Sequence, residues 1–351
     1  MAIQFYVIAA RRWAFFVLLL ILIAVHSCSY TLAQSSSHPI SQAPQKVILD
    51  TDIGDDIDDA FALGLVLSSP ELKLLGVTTA WGDTSLRARL VKRLLCETGQ
   101  QVIPVAAGPA TKSTTKFTQA AWAARFPPAQ RQQTDAISWM IETIRKNPGQ
   151  ITLIAIAPLH NVAALLARDP ETFHKLKRVV LMGGSIRRGY GDLGYTPDHG
   201  PTPEYNIAMD IPAAQKLFAS GIPIYMLPLD STQMKLNEVL RGILFERSTP
   251  LTDSLALLYN EWSASTNFAT PTLYDEMAVV SVIDDKLCPF QPMHIRIDAQ
   301  GYTRREPGTP NAFVCLNSSQ ERFFHFTMPR LLQQHLAPKH SDAACALDAP
   351  R

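Results

Sequence analysis

Cysteine is scarce in this chain. Five in 351 residues, with no CxxC pair, exclude a zinc ribbon and are too few for a disulfide-stapled scaffold. An excess of either charge is missing too. Thirty-two Lys and Arg against 31 Asp and Glu leave a formal net charge of +1, which is neither the basic footprint of a nucleic-acid binder nor an acidic tail. Glycine (17) is outnumbered by proline (25), and the prolines are scattered, so collagen-like and low-complexity architectures are excluded. What is plentiful is apolar material, at 47% of residues against 18% charged, enough for a sizeable core.

The N-terminus reads as a targeting segment. Arg11 and Arg12 precede an apolar run from Trp13 to Val25, which is too short to span a bilayer comfortably but suits the core of a signal peptide. Thr31-Leu32-Ala33 offers a small-residue cleavage site before Gln34, whereas Val25-His26-Ser27-Cys28 is a poor lipobox. The expectation is a periplasmic or secreted protein with no stable membrane span in its mature form, an uncleaved anchor being the alternative. Residues 1–33 are then the signal, 34–44 a polar linker, 45–336 one catalytic domain and 337–351 a flexible tail. After cleavage Cys96, Cys288, Cys315 and Cys345 remain. A Cys288–Cys315 bridge and four unpaired thiols are both open.

The body alternates short apolar runs with longer amphipathic ones. Strands are expected at Lys46–Leu49, Leu72–Thr79, Val102–Ala107, Ile151–Ala157, Val179–Met182 and Ile222–Leu227, and helices at Leu86–Glu97, Asp135–Lys146 and Ile211–Ser220. The last of these has Asp210 as a cap, Pro212 in its first turn and Gly221 at its end. Near-continuous apolar strands alternating with helices imply an α/β fold whose largely parallel central sheet is flanked by helices. Polar and small residues follow these strands, and ligands bind at the carboxyl ends of such sheets.

After the first strand come six aspartates within ten residues, Asp50-Thr51-Asp52-Ile53-Gly54-Asp55-Asp56-Ile57-Asp58-Asp59. Carboxylates this close raise one another's pKa unless a counter-charge intervenes. A hard divalent cation supplies one, and all-oxygen ligation favours Ca²⁺ or Mg²⁺ over zinc. The bland alternative is a solvated acidic loop, but the cluster follows a hydrophobic strand and precedes the apolar helix Ala60–Leu67. An EF-hand is excluded, because Gly54 is displaced and Phe61 occupies the closing glutamate position. A strand ending in DxD also suits an aspartyl-nucleophile phosphatase, a reading that gives Asp58-Asp59 no task.

The segment ILDTDIGDDIDDA resembles the DxDxGxDDA fingerprint of the inosine–uridine-preferring nucleoside hydrolases. IAIAPLHNVAALL, VVLMGGS…PEYNIAMD and LYDEMAV follow in the family's order, so the resemblance spans roughly residues 45–335. It implies a Rossmann-like fold, Ca²⁺ as cofactor, and hydrolysis of the N-glycosidic bond of ribonucleosides to ribose and free base. It implies Asp52 as general base and metal ligand, with Asp59, the Ile156 carbonyl and Asp275 as further ligands. Asp58, Asp83, Met182, Asp198, Glu204, Asn206 and Tyr274 are implied as substrate-binding positions. The implied partner is a small ribonucleoside and not nucleic acid, in a chain compatible with a homo-oligomer.

The doublet has a physical rationale. Adjacent residues at a helix start point about 100° apart, so Asp58 can face sugar while Asp59 faces metal. Cleavage passes through an oxocarbenium-like sugar whose charge nearby carboxylates stabilise.

The chain departs from the family pattern in four places. The loop is two residues longer, leaving Asp55 and Asp56 without a counterpart. Asp83 stands where asparagine is usual, and Tyr274 replaces a histidine that protonates leaving purines in some members. The segment Thr111–Phe126 has no histidine, and Trp122 in it either stacks on a base or packs in the core. His160 is expected to cap or pack beside the metal loop. The pKa of Asp52 is expected to stay low beside a metal. The other functions in view are hydrolysis of another ribosyl compound, a metal-dependent phosphatase, and a non-catalytic periplasmic ribonucleoside-binding protein.

Overall fold

The computed structural model describes residues 43–126, 134–193 and 199–333. The expected signal peptide and tail lie outside the described residues. Among those described, no helix is long and apolar enough to cross a membrane.

Among the described residues eleven strands are formed: β1 (Gln45–Thr51), β2 (Leu72–Thr79), β3 (Val105–Ala107), β4 (Ile151–Ile156), β5 (Arg178–Met182), β6 (Ile224–Leu227), β7 (Met234–Lys235), β8 (Thr272–Leu273), β9 (Phe290–Ile297), β10 (Thr303–Glu306) and β11 (Ala312–Cys315). Helices of eight residues or more are α1 (Asp58–Leu67), α2 (Thr84–Glu97), α3 (Ala136–Lys146), α4 (His160–Arg168), α5 (Ile211–Phe218), α6 (Glu238–Phe245), α7 (Pro250–Thr266), α8 (Glu276–Ile283) and α9 (Gln320–Leu332).

Nine strands form one sheet in the order β10-β9-β11-β6-β5-β4-β1-β2-β3, with parallel pairing from β11 through to β3. The largely parallel, helix-flanked sheet expected from the sequence is therefore formed. The chain runs outward from β1 to β3, then returns to place β4 on the other side of β1. That reversal opens a crevice at the carboxyl ends of β1 and β4, where open α/β sheets take ligands.

Successive residues of β1 point to opposite faces. Val47 and Leu49 join one apolar cluster, with α1, α2, α7, α8 and α9, while Ile48 joins the other, with α3, α4 and α5. The core is thus two layers with the sheet between them.

Three of the differences from the sequence reading have a local reason. β3 begins at Val105 rather than Val102, and β6 at Ile224 rather than Ile222. In both cases a proline, Pro104 or Pro223, stands immediately before the strand and has no N–H to give to a ladder. β9, β10 and β11 escape the apolar-run pattern, because β9 pairs antiparallel with both β10 and β11 and is buried only at alternate residues near its end. Cys288 and Cys315 are fully buried and joined by a disulfide, with 5.6 Å between their Cα atoms. The helix α5 is capped as expected, Asp210 accepting from the Ala213 N–H at 3.1 Å.

Candidate active site

β1 delivers the acidic loop to the crevice, and the loop turns directly into α1. Asp58 and Asp59 therefore occupy the first turn of a helix, where unpaired N–H groups favour negative charge. Asp275 stands at the N-cap of α8, so a second helix start points at the same place. Asp58, Asp59 and Asp275 are all buried, and each offers a carboxylate oxygen within 4.8 Å of the others. Thr51 Oγ1 donates a hydrogen bond to Asp59 Oδ1 and fixes its rotamer.

A cavity of about 430 Å³ opens over this trio. Asp52, Asp55, Asp56 and Ile156 line its floor, with Met182, Glu204, Asn206 and Tyr274 on its walls. Glu204 caps the short turn Tyr205–Ala208 by accepting from the Asn206 and Ile207 N–H groups (2.9 and 3.2 Å), and it also accepts from Gly184 N–H at 2.8 Å. Asn206 Nδ2 donates to the Met182 carbonyl at 3.1 Å, holding that turn against the end of β5. Tyr190 meets Tyr274 edge-on, with ring centroids 5.9 Å apart. The Tyr205 hydroxyl accepts from Trp81 Nε1 at 2.9 Å and lies 2.7 Å from Thr115 Oγ1. The lining continues with the buried Trp262, then Ser265 and Thr266 from the end of α7 and the exposed Phe268 beyond Asn267, whose φ is +61°.

Charge is the problem this arrangement poses. Two carboxylates 4–5 Å apart repel by roughly 3–4 kcal/mol at an effective dielectric of about 20. Burial makes it worse. Asp52 is pushed up to about 7 chiefly by burial, with the Arg87 charge pulling the other way and Asp55 and Asp50 adding to the rise. Burial, then neighbouring aspartates, raise Asp58, Asp59 and Asp275 well above the usual carboxylate range. Burial also pushes Glu204 up to about 7. Without a cation, desolvation of Asp52 outweighs the single guanidinium nearby. A cation at the meeting point of the trio would remove both penalties, and the all-oxygen donor set fits a hard divalent ion.

Nine positions singled out from the sequence, Asp52, Asp58, Asp59, Ile156, Met182, Glu204, Asn206, Tyr274 and Asp275, line this one cavity. The closest carboxylate trio contains Asp58, with Asp52 beside it as a further wall of the same floor. Asp83 is not among the lining residues. It is exposed and caps α2 by accepting from Leu86 N–H at 2.9 Å. Asp198 lies outside the described residues. Trp122 is no base platform, since it is 2% exposed in the core with the Arg93 guanidinium 4.0 Å from its ring. His160 does not line the cavity: its Nδ1 lies 2.7 Å from Asp210 Oδ2 and its ring 5.2 Å from Trp81.

The two inserted acids acquire partners. Asp55 Oδ2 pairs with Arg87 at 2.8 Å, and Asp56 Oδ1 accepts from Ile57 N–H at 2.7 Å. Sequence reasoning missed Arg87, Tyr190, Tyr205, Trp262 and Phe268. Arg87 had a signal: it sits on the stripe of Leu90, Val91 and Leu94 that α2 buries, and a charge on such a stripe needs a buried partner.

Residues 47–325 match the family model described as inosine-uridine preferring nucleoside hydrolase. An uncharacterised protein of Schizosaccharomyces pombe is 38% identical over 200 residues, 53% of this chain and 62% of the yeast protein. The non-specific ribonucleoside hydrolase RihC of Salmonella paratyphi A is 32% identical over 270 residues, 73% of this chain and 84% of that enzyme. Among solved structures, a plant nucleoside hydrolase aligns with a TM-score of 0.70 at 25% identity, covering 83% of this chain and all of that one.

Proposed function

The chain belongs to the inosine-uridine preferring nucleoside hydrolase family, and from that premise we propose that it hydrolyses the N-glycosidic bond of ribonucleosides to ribose and free base. The observation that carries the reading is the meeting of three buried carboxylates from α1 and α8 under a cavity at the reversal of the sheet. A binder of neutral nucleosides gains nothing from such a concentration of acids, whereas a reaction that builds positive charge on a sugar does.

Ca²⁺ is the proposed cofactor, held by Asp58, Asp59 and Asp275 with Asp52 and the Ile156 carbonyl at its margin. When bound it orients the ribose hydroxyls and makes a water molecule more acidic. Asp52 accepts the proton of the water that attacks C1′. As the C1′–N bond breaks, its electron pair leaves with the base, which takes up a proton. Asp58, Glu204 and Asn206 grip the ribose, and their carboxylates face the charge that develops on its ring. Tyr190, Tyr274, Trp262 and Phe268 give the base an aromatic surround. Its size suits a nucleoside, since ligand cavities of this kind run to roughly 300–1,000 Å³.

Export belongs to the same proposal, with residues 1–33 as a cleaved signal and 45–336 as the catalytic unit. The buried Cys288–Cys315 bridge supports it, because such bonds persist in oxidising compartments. The deciding experiment is ribose release from purified protein on a panel of purine and pyrimidine ribonucleosides, with and without a chelator. No release from any of them, with calcium present, rejects the function.

A further inference from the structure

Arg87 is 1% exposed, at a depth where a guanidinium is costly unless its donors are matched. Its Nε donates to the Trp81 carbonyl at 2.7 Å. One terminal nitrogen donates to the Asp52 and Ile53 carbonyls, and the other donates to Asp55 Oδ2 at 2.8 Å. One planar group therefore ties the segment after β2 to the backbone of the acidic loop. The loop is held elsewhere too. The Phe117 ring fills the space that a Cβ at Gly54 would need, at a residue whose φ is +123°. Thr118 Oγ1 donates to the Asp55 carbonyl at 2.8 Å, and Gln119 Nε2 donates to the Asp56 carbonyl at 2.6 Å.

We propose that Arg87 is a positioning residue for the hydrolysis: by holding the Asp52 and Ile53 carbonyls, with Asp55 as its charge partner, it sets where the Asp52 carboxylate stands in the cavity. The extra acid of the longer loop then serves the arginine rather than substrate or metal. Four acceptors arranged about a plane suit arginine's fork, and a lysine ammonium at the same place cannot reach them all. The proposal rests on the nucleoside-hydrolase reading of the cavity.

Arg87→Lys tests it, because lysine keeps the charge and loses the fork. The variant is compared with the wild type by thermal melting, calcium calorimetry and steady-state ribose release. The expected result is a folded protein whose kcat falls about tenfold or more while KM stays within about threefold, since a small misplacement of a catalytic group costs rate before binding. The calcium Kd should weaken severalfold, and with the charge retained that change reports displaced ligands rather than an altered field. A kcat within about twofold of wild type, from a folded variant, overturns the proposal. Should Arg87→Lys not fold, Arg87→Met combined with Asp55→Asn removes the ion pair as a unit and leaves no unpaired buried charge. A folded double variant with kcat still low supports positioning, and one with kcat restored shows that the pair only stabilises the fold. If the wild type itself releases no ribose, the hydrolase reading fails instead, and an unchanged calcium Kd in Arg87→Lys would then overturn the hold of Arg87 on the loop.

Discussion

Asp58, in the first turn of α1, and Asp275, at the N-cap of α8, bring carboxylate oxygens within 4.8 Å of each other from distant parts of the chain. Two helix starts aimed at one point supply partial positive charge from their free N–H groups, each worth about 0.3–1 kcal/mol. That is too little to offset the repulsion of three buried carboxylates. The proposed divalent cation would offset it, and from that comes the first prediction. Chelation should abolish ribose release, and Ca²⁺ should restore it better than Zn²⁺, because the donors are all oxygen. Full activity in a chelated, metal-free sample would remove the metal from the mechanism.

The same crowding gives a stability prediction. Asp52 and Glu204 are raised from 3.8 and 4.5 to about 7, and Asp58, Asp59 and Asp275 are raised as well. A carboxyl whose folded pKa exceeds its unfolded value binds more protons when folded, so it contributes stability below about pH 4 that is lost as pH rises through about 7. Metal-free protein should therefore melt at a higher temperature at about pH 5.5 than at about pH 8, and added Ca²⁺ should raise Tm most at the higher pH. A metal-free Tm that climbs steadily between those two values contradicts the assignment of these groups as protonated.

Where the sequence was legible, the reason is burial on both faces. β1, β2, β4 and β5 are near-continuous apolar runs because helices cover them on each side. β9 to β11 form a half-exposed edge in which β9 pairs antiparallel on both sides, and His294 and Arg296 stand at the alternate positions between buried Met293, Ile295 and Ile297, so no continuous apolar run announces them. The acidic floor was legible for a similar reason, since most of it is contiguous in the chain. Asp275 and Glu204 are not, and only resemblance to a family pattern linked them to the loop. Tyr190 and Phe268 reach the cavity from loops that carry no periodicity. Trp122 shows the converse failure: an aromatic near the right loop is buried in the apolar core, where the Arg93 side chain donates to its carbonyl at 2.6 Å.

Tyr274 stands where a histidine protonates the leaving base in some relatives by resemblance. Burial first, then the charges of Asp58, Asp56 and Glu204, raise its pKa above the ordinary 10, which makes it a still weaker acid at neutral pH. Tyr274→Phe should lower kcat by less than about tenfold, below the 10²–10⁴ typical of a lost general acid. A thousandfold loss on purine nucleosides with binding unchanged would show that the hydroxyl is the acid after all.

The N-terminal reading is checked by sequencing the mature protein. The first residue should lie near Gln34, in material recovered from outside the cytoplasm. An intact Met1 or Ala2 on a cytoplasmic protein would reject export, and a lipid on Cys28 would show that the imperfect lipobox is used.

Asp52 follows the last residue of β1, is 5% exposed, and has its backbone carbonyl held by Arg87, so its side chain reaches the cavity from a fixed base. Its carboxyl is poised near 7 by burial in the protein alone, and a cation beside Asp59 would lower it and leave it ionised at neutral pH, ready to take a proton from water. Asp52→Asn keeps the shape and one oxygen but removes the base. The expected signature is a fall in kcat on the order of 10²–10⁴ with a smaller change in nucleoside binding. Asp58→Asn should weaken both calcium and nucleoside binding, because its carboxylate is proposed to meet the cation and the sugar. Asp55→Asn should act through Arg87 and cost less than either. If Asp52→Asn instead keeps a near wild-type rate while Asp55→Asn or Asp56→Asn is inactive, the base belongs three or four residues further into the loop, and the inserted acids are the ones that carry the chemistry.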